Sequence, residues 1–138
     1  MEKVIDGFYG KYFFLSNFYN QKITYNGFVF ENNEAAFQAA KCPYRMAEFV
    51  GLNPSDAKHL GRRVHLRTDW EDVKDSVMYE VCRCKFTQNP ELAQALIDTG
   101  DAILIEGNTW GDRVWGTVDG VGENRLGKIL MRIREEIR

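Results

Sequence analysis

The segment from Asp69 to Phe86 constrains the fold more than any other stretch of this chain. Its apolar residues recur at steps of three and four, at Trp70, Val73, Val77, Val81 and Cys84. That spacing places them on one face of an α-helix, and Asp69 is a residue type that favours a helix start. A helix of this kind gains most of its stability by packing its apolar face, so the rest of the chain must supply a core.

Two segments predict the strands of that core. Residues 23–31, ITYNGFVFE, place β-branched and aromatic residues on both sides of Asn26-Gly27, a dipeptide favoured in two-residue hairpin turns. Residues 102–106, AILIE, form an uninterrupted apolar run that is typical of a buried strand. We therefore expect one N-terminal hairpin and one buried strand later in the chain.

Capping residues and apolar spacing predict four further helices. One follows Asn32 and is stopped by Pro43, and Asn-Pro pairs at Asn53 and Asn89 begin two more. Proline suits the first helical position because its missing N–H would have no helical partner there. The last helix is marked by Leu126, Ile129, Leu130, Ile133 and Ile137.

These elements predict the α+β class, as a helix-rich single domain over residues 1–138. About five helices are expected around a small β-sheet that includes the N-terminal hairpin. A chain of 138 residues, 44% of them hydrophobic, is long enough for one core. No linker, repeat or low-complexity segment divides it.

Composition excludes several classes of protein. A net charge of −2 argues against attachment to nucleic acid through bulk electrostatics. The three cysteines form no Cys-x-x-Cys pair and the two histidines lack zinc-finger spacing, so we expect reduced thiols, no metal and no cofactor. With no signal-peptide core and no membrane-length apolar run, we expect a cytoplasmic protein without a membrane role. No pattern predicts an oligomeric state.

The glycine-rich segment Gly107–Gly127 is the main loop region, and it carries Trp110, Asp112 and Trp115. Such loops are common sites of binding and chemistry. Either tryptophan could pin the loop to the domain, or provide a flat wall on which a base or sugar stacks. In the second case Asp112 would set a carboxylate beside that wall.

A second candidate group starts at Glu34, in the first turn of the helix after Asn32. Steps of four and seven residues bring Gln38 and Lys41 to the same side. The helix dipole alone also favours glutamate at that position. Arg62, in the segment GRRVHLR, could hold phosphate or belong to a solvated surface.

Taken together and in order, the motifs of this chain resemble those of the YbiA-like, or NADAR, family from about Phe13 to the C-terminus. The matching pieces are LSNF at 15–18, EAAFQAAK at 34–41, AKHLGR at 57–62, LRTDWEDVKDSVM at 66–78, KF at 85–86, TGDAILIE at 99–106, GDRVWG at 111–116 and GENRLGKILM at 122–131. Each piece is weak alone, but their shared order is specific.

The resemblance implies an N-glycosidase that breaks the C–N bond between ribose and a nitrogenous base. Family members act on phosphoribosylated pyrimidines of riboflavin synthesis, and others remove ADP-ribose from guanine in nucleic acid. The expected partner is therefore a small nucleotide-like substrate or ADP-ribosylated nucleic acid.

The family's motif positions fall on particular residues of this chain. Its essential carboxylates match Glu34 and Asp112, and its functional tryptophan matches Trp70. The other positions expected near the substrate are Asn17, Gln38, Lys41, Arg62, Lys74, Trp110, Trp115, Gly116 and Asn124. Which carboxylate acts as acid and which as base stays open at this point.

One departure affects substrate choice. Many family members carry histidine directly after the motif glutamate, where this chain has Ala35. The alternative hypothesis is therefore a non-catalytic module that binds ADP-ribose or another nucleotide through the same aromatic residues.

Overall fold

The computed structural model describes residues 3–138, and residues 1 and 2 of the predicted domain lie outside the described residues. In chain order the elements are β1 (Val4–Asp6), a 3-10 segment (Gly10–Leu15), β2 (Asn20–Tyr25), β3 (Phe28–Asn32), α1 (Asn33–Ala39), a second 3-10 segment (Pro43–Phe49), α2 (Pro54–Gly61), α3 (Trp70–Gln88), α4 (Pro90–Ile97), β4 (Ile103–Ile105) and α5 (Arg125–Ile137). The predicted helix-rich α+β class is confirmed.

The chain divides into two compact units. The central unit is Asn17–Gln88, and the terminal unit combines Met1–Ser16 with Asn89–Arg138. Within the described residues the strands form two two-stranded sheets, one in each unit, where the sequence predicted one small sheet. None of the helices described is long and apolar enough to cross a membrane.

The hairpin of the central unit forms where the sequence predicted it. Asn26 and Gly27 both have positive φ, at 50° and 82°, as a tight two-residue turn between twisted strands requires. The turn sets the antiparallel register, in which Tyr25 pairs with Phe28 and Ile23 with Phe30. Gln88, at the end of α3, exchanges two 2.8 Å hydrogen bonds with the backbone of Thr24.

The helix starts of the central unit also follow the prediction. The Asn32 side chain accepts a 2.8 Å hydrogen bond from the N–H of Ala35, and that of Asn53 accepts one from Asp56. Each bond satisfies a backbone donor that has no partner inside the helix. Because Asn32 also ends β3, α1 follows the hairpin without a loop.

The apolar face of α3 differs from the predicted one. Trp70, Val77 and Val81 are buried as expected, but Val73 and Cys84 are only half-buried. The buried face instead continues through Met78, Cys82, Lys85 and Phe86. The periodicity missed this shift because Lys85 is a charged residue type, yet its ammonium lies over the rings of Tyr19 and Phe86.

The terminal unit is built on a parallel strand pair. β1 pairs with β4 in the register Ile5 to Leu104, and the sequence did not predict β1 because it has only three residues. Helix α5 packs closely on β4 through Gly127, where a Cβ would overlap the carbonyl oxygen of Leu104. Arg134 of α5 is buried, and it donates 2.9 Å hydrogen bonds to Thr99 Oγ1 and the Ala102 carbonyl.

Candidate active site

Glu34 is a buried carboxylate in the first turn of α1, with 7% of its surface exposed. Its backbone N–H donates a 3.1 Å hydrogen bond to the carbonyl oxygen of Asn17. All seven residues of α1 are buried, whereas the sequence suggested one apolar and one polar face. The helix therefore holds its acid inside the central unit.

Asn17 supports the start of α1 from the preceding segment. Its side-chain oxygen accepts a 3.2 Å hydrogen bond from Asn33, and its amide nitrogen lies 3.3 Å from the sulfur of Met78. The hydrogen bond with Asn33 holds in place the residue that precedes Glu34 in the chain. The structure thus gives Asn17 a positioning role, and the predicted contact with substrate stays a prediction.

Gln38 lies one helical turn after Glu34 and faces it directly. Its amide Nε2 donates a 2.8 Å hydrogen bond to Oε1 of Glu34. The amide oxygen of Gln38 is buried against Gly61 of α2, without a hydrogen-bond partner among the described residues. A Cβ at Gly61 would overlap that oxygen, so glycine is what allows α2 to approach α1 here.

Lys41 and Trp70 meet beside the same helix. The Lys41 ammonium lies 5.9 Å from the centre of the Trp70 ring, and the ring centroids of Trp70 and Phe37 are 5.1 Å apart. A backbone hydrogen bond from Arg67 to the Lys41 carbonyl joins the end of α1 to the segment before α3. Four predicted site residues are thereby brought together, namely Glu34, Gln38, Lys41 and Trp70.

Lys41 is electrostatically coupled to Glu34 and to two further cations. Burial lowers the pKa of Lys41, the negative charge of Glu34 opposes that shift, and the positive charges of Arg62 and Lys58 add to it. Lys58 was missed by the sequence analysis, although it stands four residues before Arg62 and so shares its side of α2. The cluster of Lys41, Lys58 and Arg62 carries more positive charge than Glu34 alone neutralises.

Lys74 has a different neighbour. Its ammonium pairs with the carboxylate of Glu71, one turn earlier on α3. The Glu71 side chain is well exposed, whereas the Lys74 side chain is mostly buried, so the ion pair lies at the surface of the central unit. The predicted substrate contact of Lys74 stays a prediction.

Asp112 is held by the backbone of the glycine-rich loop in the terminal unit. Its Oδ1 accepts hydrogen bonds from the N–H groups of Val114 (3.0 Å) and Trp115 (2.9 Å). This local turn, in which an Asp side chain binds the backbone after it, is typical of Asp in loops. Both bonds use the same oxygen, so the second carboxylate oxygen is not needed for the turn.

Asn108, Gly116 and Asn124 shape that loop. Asn108 donates to the Asp112 carbonyl (2.9 Å) and accepts from the Asp112 N–H (3.1 Å). Asn124 has a φ of 51°. Its side chain accepts a hydrogen bond from the N–H of Glu106 and donates one to the carbonyl of Leu104, which connects the end of the loop to its start. A Cβ at Gly116 would overlap the Glu106 carbonyl, so close backbone packing explains the glycine.

The two loop tryptophans have different surroundings. Trp110 is 64% exposed, which leaves most of its ring uncovered. Trp115 is half-buried, and its backbone carbonyl accepts a 3.0 Å hydrogen bond from the N–H of Leu126 at the start of α5. The backbone of Trp115 thus joins the loop to the start of α5, and Trp110 offers an open aromatic face.

The central unit therefore presents a buried carboxylate next to cations, and the terminal unit presents a carboxylate in a rigid loop between tryptophans. Carboxylates can stabilise positive charge on a sugar carbon or take a proton from water, and cations can bind phosphate. Within residues 3–138, no three His, Cys, Asp or Glu side chains are grouped closely enough to hold a metal ion.

Comparison of the sequence with those of known proteins identifies relatives of this chain. Residues 7–138 match the sequence model of the NADAR domain. The chain is 37% identical to N-glycosidase YbiA of Escherichia coli, over 99% of this chain and 91% of that protein. It is 40% identical to a riboflavin biosynthesis protein of Vibrio vulnificus, over 90% of this chain but only 35% of that protein.

A solved structure supports the same relationship. The NMR structure of the E. coli protein YbiA superposes with a TM-score of 0.87 at 36% identity, over 99% of this chain and 86% of that chain. An N-glycosidase of Nostoc punctiforme is 42% identical over 64% of this chain and 58% of that protein. The similarity thus spans sequence and fold.

Proposed function

Because this chain belongs to the NADAR domain family, we propose that it is an N-glycosidase that hydrolyses the bond between a phosphorylated ribose and a nitrogenous base. The observation that carries the proposal is the buried Glu34 carboxylate, which accepts a hydrogen bond from Gln38 and is electrostatically coupled to Lys41, itself coupled to Lys58 and Arg62. An anion next to cations suits a substrate whose sugar becomes positive during reaction and whose phosphate is negative.

The reaction follows from that charge pattern. As the bond from the ribose anomeric carbon to nitrogen breaks, its electron pair leaves with the base and positive charge develops on the sugar. Water adds its oxygen to the anomeric carbon, one water proton goes to a carboxylate, and a proton is delivered to the departing nitrogen. Glu34 and Asp112 are the two carboxylates proposed for these steps.

The remaining proposed roles follow the surroundings of each residue. Arg62, Lys58 and Lys41 would bind the phosphate, since a guanidinium can make paired hydrogen bonds to it. The exposed ring of Trp110 and the half-buried ring of Trp115 would stack on the planar base, an interaction worth about 1 to 3 kcal/mol. Trp70 is buried against Phe37 and would hold Lys41 in place.

The proposed substrate is a ribosylaminopyrimidine phosphate, because curated relatives are named riboflavin biosynthesis proteins. We place the reaction in the cytoplasm, supported by three cysteines that are free thiols within the described structure. The retained carboxylates favour catalysis over the alternative, a module that only binds ADP-ribose.

Mass-spectrometric detection of free base and sugar phosphate tests the proposal. The wild type, Glu34→Gln and Glu91→Gln are each incubated with a ribosylaminopyrimidine phosphate and with an ADP-ribosylated guanine oligonucleotide. Glu91 is the matched control because it is an exposed glutamate in the first turn of α4. We expect the wild type and Glu91→Gln to release base from the pyrimidine substrate and Glu34→Gln to release almost none.

Other outcomes redirect or overturn the assignment. Release from the oligonucleotide alone would keep the glycosidase and change its substrate. Tight ADP-ribose binding with no release from either substrate would overturn the enzyme in favour of the binding module. Full turnover by a folded Glu34→Gln variant would refute the role of Glu34.

A further inference from the structure

We infer that Gln38 is a positioning residue that holds Glu34 as an oriented, ionised carboxylate, so that Glu34 is the group that receives the proton of the attacking water. The inference rests on the proposed function and settles which carboxylate is the base. In the step concerned, the water oxygen bonds to the anomeric carbon, the C–N electron pair leaves with the base, and the water proton moves to Glu34.

The hydrogen bond between the two side chains carries this inference. Gln38 Nε2 donates to Glu34 Oε1 at 2.8 Å, between residues one helical turn apart. Both side chains are buried, at 5% and 7% exposure, so bulk water does little to replace the bond. A donor aimed at a buried carboxylate stabilises its charged form more than its neutral form.

The packing of Gln38 maintains the direction of that donor. Its amide oxygen lies against Gly61 and finds no hydrogen-bond partner among the described residues. If the amide were reversed, that oxygen would face an oxygen of Glu34, an arrangement that is repulsive unless Glu34 carries a proton. The observed orientation leaves one acceptor unsatisfied and gives the carboxylate its donor, as an ionised Glu34 requires.

The charged neighbours of Glu34 also favour its ionised form. Lys41, just after α1, is electrostatically coupled to Glu34, and it is also coupled to Lys58 of α2 and to Arg62, which follows α2. On the side of α3, the Cys82 thiol is next to Asn33, and burial raises its pKa to about 12, so it stays neutral. Of these neighbours, Lys41 adds positive charge beside Glu34, and the neutral Cys82 thiol adds no charge.

The exposed face of α4 offers a matched control. Gln94 Nε2 donates to Asp98 Oδ1 at 2.8 Å, also between residues one helical turn apart. This pair has the same donor–acceptor distance as Gln38 and Glu34, although the glutamine here precedes its acid, and both side chains are exposed. A hydrogen bond of this kind should influence a carboxylate strongly when buried and weakly when exposed.

The first test is the pH profile of kcat for the wild type, Gln38→Met, Gln38→Glu and Gln94→Met. We expect Gln38→Met to move the acidic limb about one to two pH units higher, since a hydrogen bond to a charged group accounts for a shift of that size. Gln38→Glu should move the limb further, because two adjacent carboxylates cannot both ionise easily. Gln94→Met should leave it unchanged.

The second test does not depend on activity. Glutamate labelled with carbon-13 at the side-chain carboxyl gives an NMR signal for Glu34, assigned by its loss in Glu34→Gln. We expect the midpoint of its titration to rise in Gln38→Met, by the same amount as the limb of the pH profile. If the wild type hydrolyses no ribosylated base but the midpoint rises, the proposed function fails and the ionisation role of Gln38 stands.

A merely structural role of Gln38 would give a different result. In that case Gln38→Met would lower kcat by the same factor at every pH, and the NMR midpoint would match that of the wild type. Either an unshifted midpoint in a folded Gln38→Met variant or an equal shift in Gln94→Met would overturn the inference.

Discussion

The two proposed carboxylates are held in opposite ways. Glu34 stands on a helix whose every residue is buried, and a neighbouring side chain donates to it. Asp112 stands in a glycine-rich loop, and two backbone N–H groups of that loop donate to one of its oxygens. The first acid depends on helix packing, whereas the second is itself a structural part of its loop.

This difference separates the effect of a substitution on activity from its effect on stability. Replacing Glu34 by its amide removes a charge but leaves an oxygen for Gln38, so the fold should tolerate it. Removing the Asp112 side chain also removes the acceptor that orders residues 112–115. Removing the charge of Glu34 should therefore affect mainly activity, whereas removing the whole Asp112 side chain should affect activity together with stability.

The largest expected effect is the loss of turnover in Glu34→Gln. We expect kcat to fall about a thousandfold, a typical loss for a general base. Because Glu34→Gln keeps the size of the side chain and an oxygen for Gln38, the free energy of unfolding in urea should fall by no more than about 1 kcal/mol, the net value of one hydrogen bond. A large loss of stability would contradict this comparison, because Glu34 would then be needed for the stability of the fold as well as for activity.

Asp112 should separate the two roles through a pair of variants. Asp112→Asn keeps an oxygen for the N–H groups of Val114 and Trp115, whereas Asp112→Ala leaves both without that acceptor. We expect both variants to lose activity, and only Asp112→Ala to lose about 1 to 3 kcal/mol in urea unfolding. Equal stability of the two variants would show that the turn does not depend on the side chain.

The close-packed glycines sharpen the comparison between the units. Gly116→Ala forces a Cβ onto the Glu106 carbonyl, and Gly61→Ala forces one onto the Gln38 amide. Backbone cannot move as a side-chain end can, so we expect a cost of about 3 kcal/mol for Gly116→Ala and about 1 kcal/mol for Gly61→Ala. Thermal and urea unfolding measure both, and the reverse order would contradict this account.

A smaller effect should appear in the pH dependence of stability. Burial lowers the pKa of Lys85 to about 7, below its usual 10.5. Between those values the unfolded chain binds more protons than the folded chain, so the free energy of unfolding should rise with pH, by at most about 1.4 kcal/mol per pH unit. The rise should be measurable from pH 7 to about 9.

Lys85→Met provides the control for that slope. The variant should have a much smaller slope over the same range, because it lacks the lysine whose pKa is lowered to about 7. Above about pH 9 the slope should fall in both proteins, since burial raises the pKa of Cys82 and of Tyr25 to about 12 and the unfolded chain loses those protons first. An equal slope in the variant and the wild type below pH 9 would contradict the assignment to Lys85.

Local signals predicted a large part of the fold. The Asn26-Gly27 turn and the caps at Asn32 and Asn53 each depend on a few neighbouring residues, and all are present. β1 escaped prediction because a three-residue strand has too little periodicity to recognise. It exists because Ile5 pairs with distant Leu104, and that pairing has no local signature.

The candidate site shows the same division. Helical spacing brought Gln38 and Lys41 to the side of Glu34, and the structure contains that grouping. Spacing could not show that all of α1 is buried, or that Lys58 of α2 joins the cluster, since both follow from how helices pack. The turn at Asp112 depends on side-chain direction in a loop, which residue type alone does not fix.

The central claim is that water attacks the sugar carbon and leaves the base intact. Hydrolysis of a ribosylaminopyrimidine phosphate in water enriched in heavy oxygen tests it directly, with the released base and sugar phosphate weighed by mass spectrometry. We predict that the base keeps its natural mass and that the heavy oxygen is found in the sugar phosphate. Heavy oxygen in the base would show that its ring carbon was attacked, which would contradict an N-glycosidase.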